Sequence, residues 1–208
     1  MYSIKEIFYT LQGEGFYAGR PAVFIRFAGC NLWTGHEKHR ATAVCKFCDT
    51  DFVGVDGLNG GKYETEEVIN LIYSLWPDSN VKPFIVCTGG EPALQLDQKF
   101  VNDLHAAKCI ISIETNGTIE LPEGIDWVCV SPKSTTTLLV TSGDELKLVY
   151  PQADAMPETY ARLDFKRFSL QAMDGPEIQQ NTRLTLEYCK AHPQWNLSLQ
   201  THKILDIP

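Results

Sequence analysis

The chain reads as an α/β fold whose mainly parallel strands curve into an incomplete, open barrel. Three observations predict it. Seven short runs rich in β-formers punctuate the sequence, at 22–27, 84–88, 110–114, 126–130, 145–149, 168–171 and 197–200. Helical periodicity lies between several of them, and alternation of strand and helix argues for βαβ units. The length is 208 residues, whereas eight complete units take about 200 to 250 or more. One domain spanning 1–208 is expected, with no repeat, linker or low-complexity tract.

The elements follow in order. The run at 22–27 places Arg26 on the same face as Phe24 and Ala28 and leads directly into Gly29-Cys30-Asn31-Leu32. Thr65 starts a helix with Glu66 and Glu67 in its first turn and Val68, Leu71, Ile72 and Leu75 on one face. Asp97 opens a second, with Phe100, Val101 and Leu104 at helical spacing. A third is expected from about 176 to 192, with Ile178, Leu184, Leu186 and Tyr188 as its apolar positions. Side chains alternate across a strand. Ser112, Glu114 and Asn116 therefore share a side, as do Glu145 with Lys147, Ser169 with Gln171, and Ser198 with Gln200 and His202. Such polar stripes fit either a sheet with one wet face or a barrel lumen that takes a polar ligand, because unpaired buried charge is costly.

Composition narrows the function classes. There are 26 Asp and Glu against 18 Lys and Arg, a formal charge of −8, and no basic cluster. Nucleic acid is thus not an expected partner. No apolar run is long enough to span a membrane, and the first residues lack a signal-peptide pattern. A cytoplasmic location is the expectation. The seven cysteines, an odd number, point to a reducing compartment and to metal-binding or catalytic thiols.

Three of those thiols form a constellation. Cys30 follows a strand, and after fourteen intervening residues comes Cys45-Lys46-Phe47-Cys48-Asp49-Thr50. A [4Fe-4S] cube held by only three thiolates leaves one iron open to an exogenous chelator. The amino and carboxylate groups of S-adenosylmethionine (SAM) would fill that corner. Zinc and thiol redox sites also use C-x-x-C pairs, and His36 or His39 would complete a zinc set. Cys87, Cys109, Cys129 and Cys189 sit in or beside apolar runs and read as small buried hydrophobes.

Further segments carry a family resemblance. Thr88-Gly89-Gly90-Glu91-Pro92 resembles the "GGEP" motif of radical SAM enzymes, and Phe47 resembles the aromatic of their cluster loop. The superfamily commonly spaces its cysteines C-x3-C-x2-C, whereas this chain has C-x14-C-x2-C, with the insert at about 31–44. One subgroup shares such an insert. Tyr9-Thr10-Leu11-Gln12-Gly13-Glu14-Gly15, the 26–32 segment, Glu114-Thr115-Asn116-Gly117, Ser131-Pro132-Lys133 and Gln200-Thr201-His202-Lys203 are similar to 7-carboxy-7-deazaguanine synthases, and they are spread over nearly the whole chain.

That resemblance implies a radical SAM-type open barrel acting as a carbon–nitrogen lyase. The family converts 6-carboxy-5,6,7,8-tetrahydropterin to 7-carboxy-7-deazaguanine with loss of ammonia, on the path to queuosine and other 7-deazapurines. It also implies Mg²⁺, a flavodoxin- or ferredoxin-type electron donor, and a homodimer. Carried over residue by residue, Cys30, Cys45 and Cys48 hold the cluster and Thr50 meets Mg²⁺. Phe47, Asp49, Gly90, Glu91, Glu114, Asn116, Ser131 and Lys133 surround SAM. Gln12, Gly13, Glu14, Arg26, Thr88, Gln171, His202 and Pro208 meet the pterin. Arg26 suits a substrate carboxylate, since guanidinium binds planar anions bidentately; an internal ion pair, with Glu114 for instance, is the alternative. The rival functions are a glycyl-radical activating enzyme and a zinc-binding module without catalysis.

Overall fold

A computed structural model describes residues 1–78 and 80–208. One nine-stranded sheet runs through it in the order β3-β1-β2-β4-β5-β6-β7-β8-β9. The strands are β1 (Tyr2–Leu11), β2 (Pro21–Phe27), β3 (Gly61–Tyr63), β4 (Phe84–Gly89), β5 (Ile110–Thr115), β6 (Trp127–Val130), β7 (Ser142–Tyr150), β8 (Asp164–Ala172) and β9 (Trp195–Ser198). From β2 to β9 every pairing is parallel. β1 pairs antiparallel with β2 and β3. The sheet stays open, with β3 at one edge and β9 at the other, as the short chain predicts.

Among the described residues five α-helices accompany it: α1 (Thr65–Leu75), α2 (Gln98–Ala106), α3 (Pro157–Tyr160), α4 (Ile178–Ala191) and α5 (Thr201–Leu205). α1 starts where the Glu67 side chain accepts from the Glu64 amide, and α2 where the Asp97 side chain accepts from the Phe100 amide at 2.8 Å. Their apolar faces cover the outer side of the N-terminal half. Val68, Ile72, Phe100, Val101 and Leu104 pack there with Ile4, Ile7, Val23, Ile25, Phe27, Ile85, Ile111 and Ile113. A second core joins Leu146, Leu148 and Leu170 with Tyr160, Phe165 and Trp195.

Two expectations need correction here. In α4 the buried residues are Asn181 and Thr185, while Ile178, Leu184 and Leu186 are exposed. The Asn181 amide donates to the Met173 carbonyl and the Thr185 hydroxyl to the Asn181 carbonyl, so these polar side chains enter the protein with their hydrogen bonds satisfied. The last strand stops at Ser198, so Gln200 directly precedes α5 and His202 lies on that helix instead of extending the stripe. Cys87, Cys109 and Cys129 are buried as expected, and Cys189 only partly so.

Candidate functional site

The lumen opens at the C-terminal ends of the parallel strands, where ligand sites of α/β folds are built. Two adjoining lobes occupy it. One is lined by Cys30, Cys45, Phe47, Cys48, Gly90, Asn116, Ser131, Lys133, Lys147 and Gln171. The other is lined by Glu6, Phe8, Gln12, Gly13, Arg26, His202, Lys203 and Pro208. Glu14, Asp49, Thr50, Thr88, Glu114 and Gln200 line both and form the shared wall.

The cysteine lobe is set by glycine backbone. A Cβ on Gly90 would lie 2.2 Å from the Gly29 carbonyl oxygen and 2.8 Å from Cys30 Cβ; Gly89 has φ +140° and its Cβ would meet the Phe27 oxygen at 2.2 Å. The two loops therefore pass closely enough to present Cys30 beside the 88–91 turn. The Leu32 amide donates to Cys30 Sγ at 3.4 Å. Burial pushes the Cys30 and Cys48 thiols up, and the neighbouring thiols push each the same way.

The insert between the first two cysteines contains a 3₁₀ turn, Glu37–Thr42. Arg40 ties it down by donating to the Lys46 and Cys48 carbonyls at 2.9 and 3.2 Å and by lying 4.1 Å from the Trp33 ring centre. Trp33 lines the cysteine lobe, and its buried indole N–H has no partner among the described residues.

Three thiols facing one lobe suit an iron–sulfur cluster. Buried thiolates that repel one another need a multiply charged cation among them. Among the described residues no three His, Cys, Asp or Glu side chains converge as ligands of a single metal ion would, and a cube with separate iron corners asks for no such convergence.

Glu91 takes a different place from the expected one. It is fully buried and lies outside the lining of both lobes. It accepts from the Thr115 hydroxyl and the Asn116 amide, both at 2.7 Å, and from the Ala93 amide at 3.0 Å. Glu91 thus holds the backbone that presents Asn116. Burial raises its carboxyl above the usual range despite these donors. Asn116 in turn donates to the Asn31 side chain at 3.0 Å. Ser131 donates to the Lys147 carbonyl, and Lys133 to the Ser131 carbonyl, each at 2.7 Å; the Lys133 ammonium is 5.9 Å from the Phe47 ring centre.

In the second lobe Arg26 Nε donates to Glu6 at 2.7 Å. An internal ion pair does exist, and its partner is Glu6, not Glu114. Glu114 instead meets Lys147 at 2.7 Å and accepts from the Gln12 amide at 3.2 Å. His202 packs directly against Gly13, where a Cβ would lie 2.2 Å from Nδ1; burial lowers its basicity. Asp49 is bound by Lys203 at 2.5 Å. Gln171 accepts from the Ser198 hydroxyl at 3.1 Å.

Lining residues absent from the expected set include Lys147, Gln200, Lys203, Glu6 and Trp33. For Lys147 the signal was present, since the stripe on its strand already turns it toward the lumen.

No family model matches the chain. Over 208 residues it is 60% identical to the 7-carboxy-7-deazaguanine synthase of Burkholderia multivorans, covering all of this chain and 99% of that protein. It is 58% identical, with the same coverage, to the Caulobacter vibrioides protein of the same name. The crystal structure of QueE from Escherichia coli superposes with a TM-score of 0.72 at 28% identity, over 96% of this chain and 93% of that one.

Proposed function

Since the chain belongs to the 7-carboxy-7-deazaguanine synthase family, its product is 7-carboxy-7-deazaguanine, and we propose that its two-lobed lumen forms it from 6-carboxy-5,6,7,8-tetrahydropterin with loss of ammonia, as a radical SAM carbon–nitrogen lyase. The carrying observation is the shared wall. Three thiols open on one lobe, a guanidinium stands in the other, and six residues face both.

Cys30, Cys45 and Cys48 would hold a [4Fe-4S] cluster, with SAM beside Phe47, Asp49, Gly90, Glu114, Asn116, Ser131 and Lys133. Bound there, cluster and SAM supply a one-electron route to a hydrogen-abstracting radical. The chain's own residues orient the substrate. Arg26 uses Nε on Glu6, and its two terminal nitrogens, unbonded among the described residues, are left for the substrate carboxylate. Gln12, Gly13 and Glu14 receive the donor-rich pterin edge. Thr88, Gln171, His202 and Pro208 complete the enclosure, and Thr50, on the wall, is the Mg²⁺ ligand. A flavodoxin- or ferredoxin-type donor and a second copy of the chain complete the working assembly. The domain is the whole of 1–208, with the cluster-loop insert at 31–44.

Anaerobic reconstitution with iron and sulfide, followed by SAM, reductant and the carboxypterin, tests the reading through ultraviolet absorbance. Deazapurine formation is expected. Iron-loaded protein that cleaves SAM yet yields no deazapurine rejects the substrate; zinc without iron rejects the chemistry.

A further inference from the structure

Lys147 lines the cysteine lobe just behind the shared wall and is, among the described residues, the one lysine paired with Glu14 and Glu114. Its side chain is 4% exposed and its ammonium lies 2.7 Å from Glu14 and 2.7 Å from Glu114. Glu14 comes from the loop after β1 and Glu114 from β5, so the lysine on β7 ties together three distant parts of the chain. Each carboxylate has one further side-chain donor. Gln200 gives to Glu14 at 2.9 Å and Gln12 to Glu114 at 3.2 Å. A lone ammonium facing two buried carboxylates is an expensive arrangement for stability alone, since apolar replacements of buried ion sets are often neutral or stabilising. Its position therefore asks for a functional account.

We propose that Lys147 is the positioning residue of the lumen: its ammonium holds Glu14 and Glu114 in one register across the shared wall, so that substrate meets a fixed pair of carboxylates instead of two that repel each other. The inference rests on the pterin reading for its substrate, and on geometry alone for its electrostatics. The groups facing the trio are Cys129 on β6, Glu145 on β7 and His202 on α5. Glu145 is spoken for by the Ser169 hydroxyl and the Phe16 amide, and among the described residues Lys147 is the one lysine or arginine paired with Glu14 and Glu114. The two carboxylates are unequal. Burial raises Glu14, but the Lys147 ammonium and the Gln200 amide overcome it and bring the carboxyl down to about 2. Burial outweighs Lys147 at Glu114, which stays above the usual range.

Two measurements on K147M test this. The first is urea stability against pH. Without the ammonium both carboxylates become costly to ionise, so the deficit relative to wild type is greatest near pH 8 and narrows as acid protonates them toward pH 5. A deficit of constant size across that range overturns the proposal. The second is turnover: kcat/KM for the carboxypterin falls roughly hundredfold, the cost of misplaced reacting groups, while iron content holds, and K147R recovers part of the loss because it keeps the charge. Wild-type kcat and KM in K147M also overturn it. Where K147M does not fold, K147M/E114Q keeps the trio's net charge; it should fold, hold its iron and remain defective on the pterin, and wild-type turnover there refutes the claim. Absence of product from the wild type would sink the pterin reading instead, and the stability profile would still judge Lys147.

Discussion

The floor and the rim of the lumen are built from the same strands and do opposite things. On β2 the lumen-facing residues run Ala22, Phe24, Arg26; on β4 they run Phe84, Val86, Thr88; on β5 they run Ile110, Ser112, Glu114. Along each strand the character changes from apolar to polar as the chain approaches its C-terminal edge. At the floor, Ala22, Phe84 and Val86 pack with Tyr17, Phe24 and Ile110, and Phe16 stacks on Trp127 at 5.1 Å. At the rim the charges pair with one another or face the lobes. The floor closes the open barrel against water, and the rim is left to recognise a ligand.

The sharpest way to break this contrast lies at the rim. Cys30→Ala, Cys45→Ala or Cys48→Ala should abolish deazapurine formation and lower bound iron, while Cys87→Ala in the core keeps its iron. Metal analysis with electron paramagnetic resonance decides it. Full iron and activity in any of the three would remove that cysteine from the ligand set. At the floor, Phe84→Ala should cost about 3–5 kcal/mol in urea unfolding and leave SAM affinity alone. A large loss of SAM affinity with little loss of stability would mean that the floor also serves recognition. Next in size is Arg26. Arg26→Met should raise the carboxypterin KM by about ten- to a hundredfold, the range of a charge-assisted hydrogen bond, and Arg26→Lys should recover only part. A pterin analogue lacking the carboxylate should be blind to both changes, and equal sensitivity would assign Arg26 to Glu6 alone.

The floor was also easier to foresee than the rim. Runs of Phe, Ile and Val mark strands by composition, and α1 and α2 show their buried faces through simple periodicity. β1 hid because its burial does not alternate cleanly: the register slips between Ile4 and Glu6, and Lys5, in a strand otherwise rich in buried residues, reaches out to Asp51 and Asp56. α4 misled because two polar residues face the protein with their hydrogen bonds met. At the rim, residue types and stripes announced which side chains enter the lumen. They did not announce who pairs with whom, since Lys147 finds Glu14 across 133 positions and Glu114 across 33. Pairing over such separations is set by the closing of the sheet, which local pattern does not encode.

The smallest effect should come from the outer rim, where pairing is wet. Lys203 bridges Asp49 at 2.5 Å and Asp174 at 2.6 Å, with all three side chains between 37% and 40% exposed. The Lys203 hydrogen bond lowers the Asp174 carboxyl below its usual value. A lowered folded-state value stabilises the protein above the unfolded value and is lost as acid passes through the folded one, so Asp174→Asn should flatten stability only on the acid side, below about pH 4. Solvent screens a pair this exposed, which limits the cost at neutral pH to about 0–1 kcal/mol. Salt should shrink it further, whereas the buried Lys147 trio should keep its effect at the same ionic strength. Denaturation of Asp174→Asn and K147M at low and high salt separates the two. Equal salt sensitivity would mean that water reaches the shared wall as freely as the edge, and the division of the rim into a dry inner wall and a wet outer ring would fall with it.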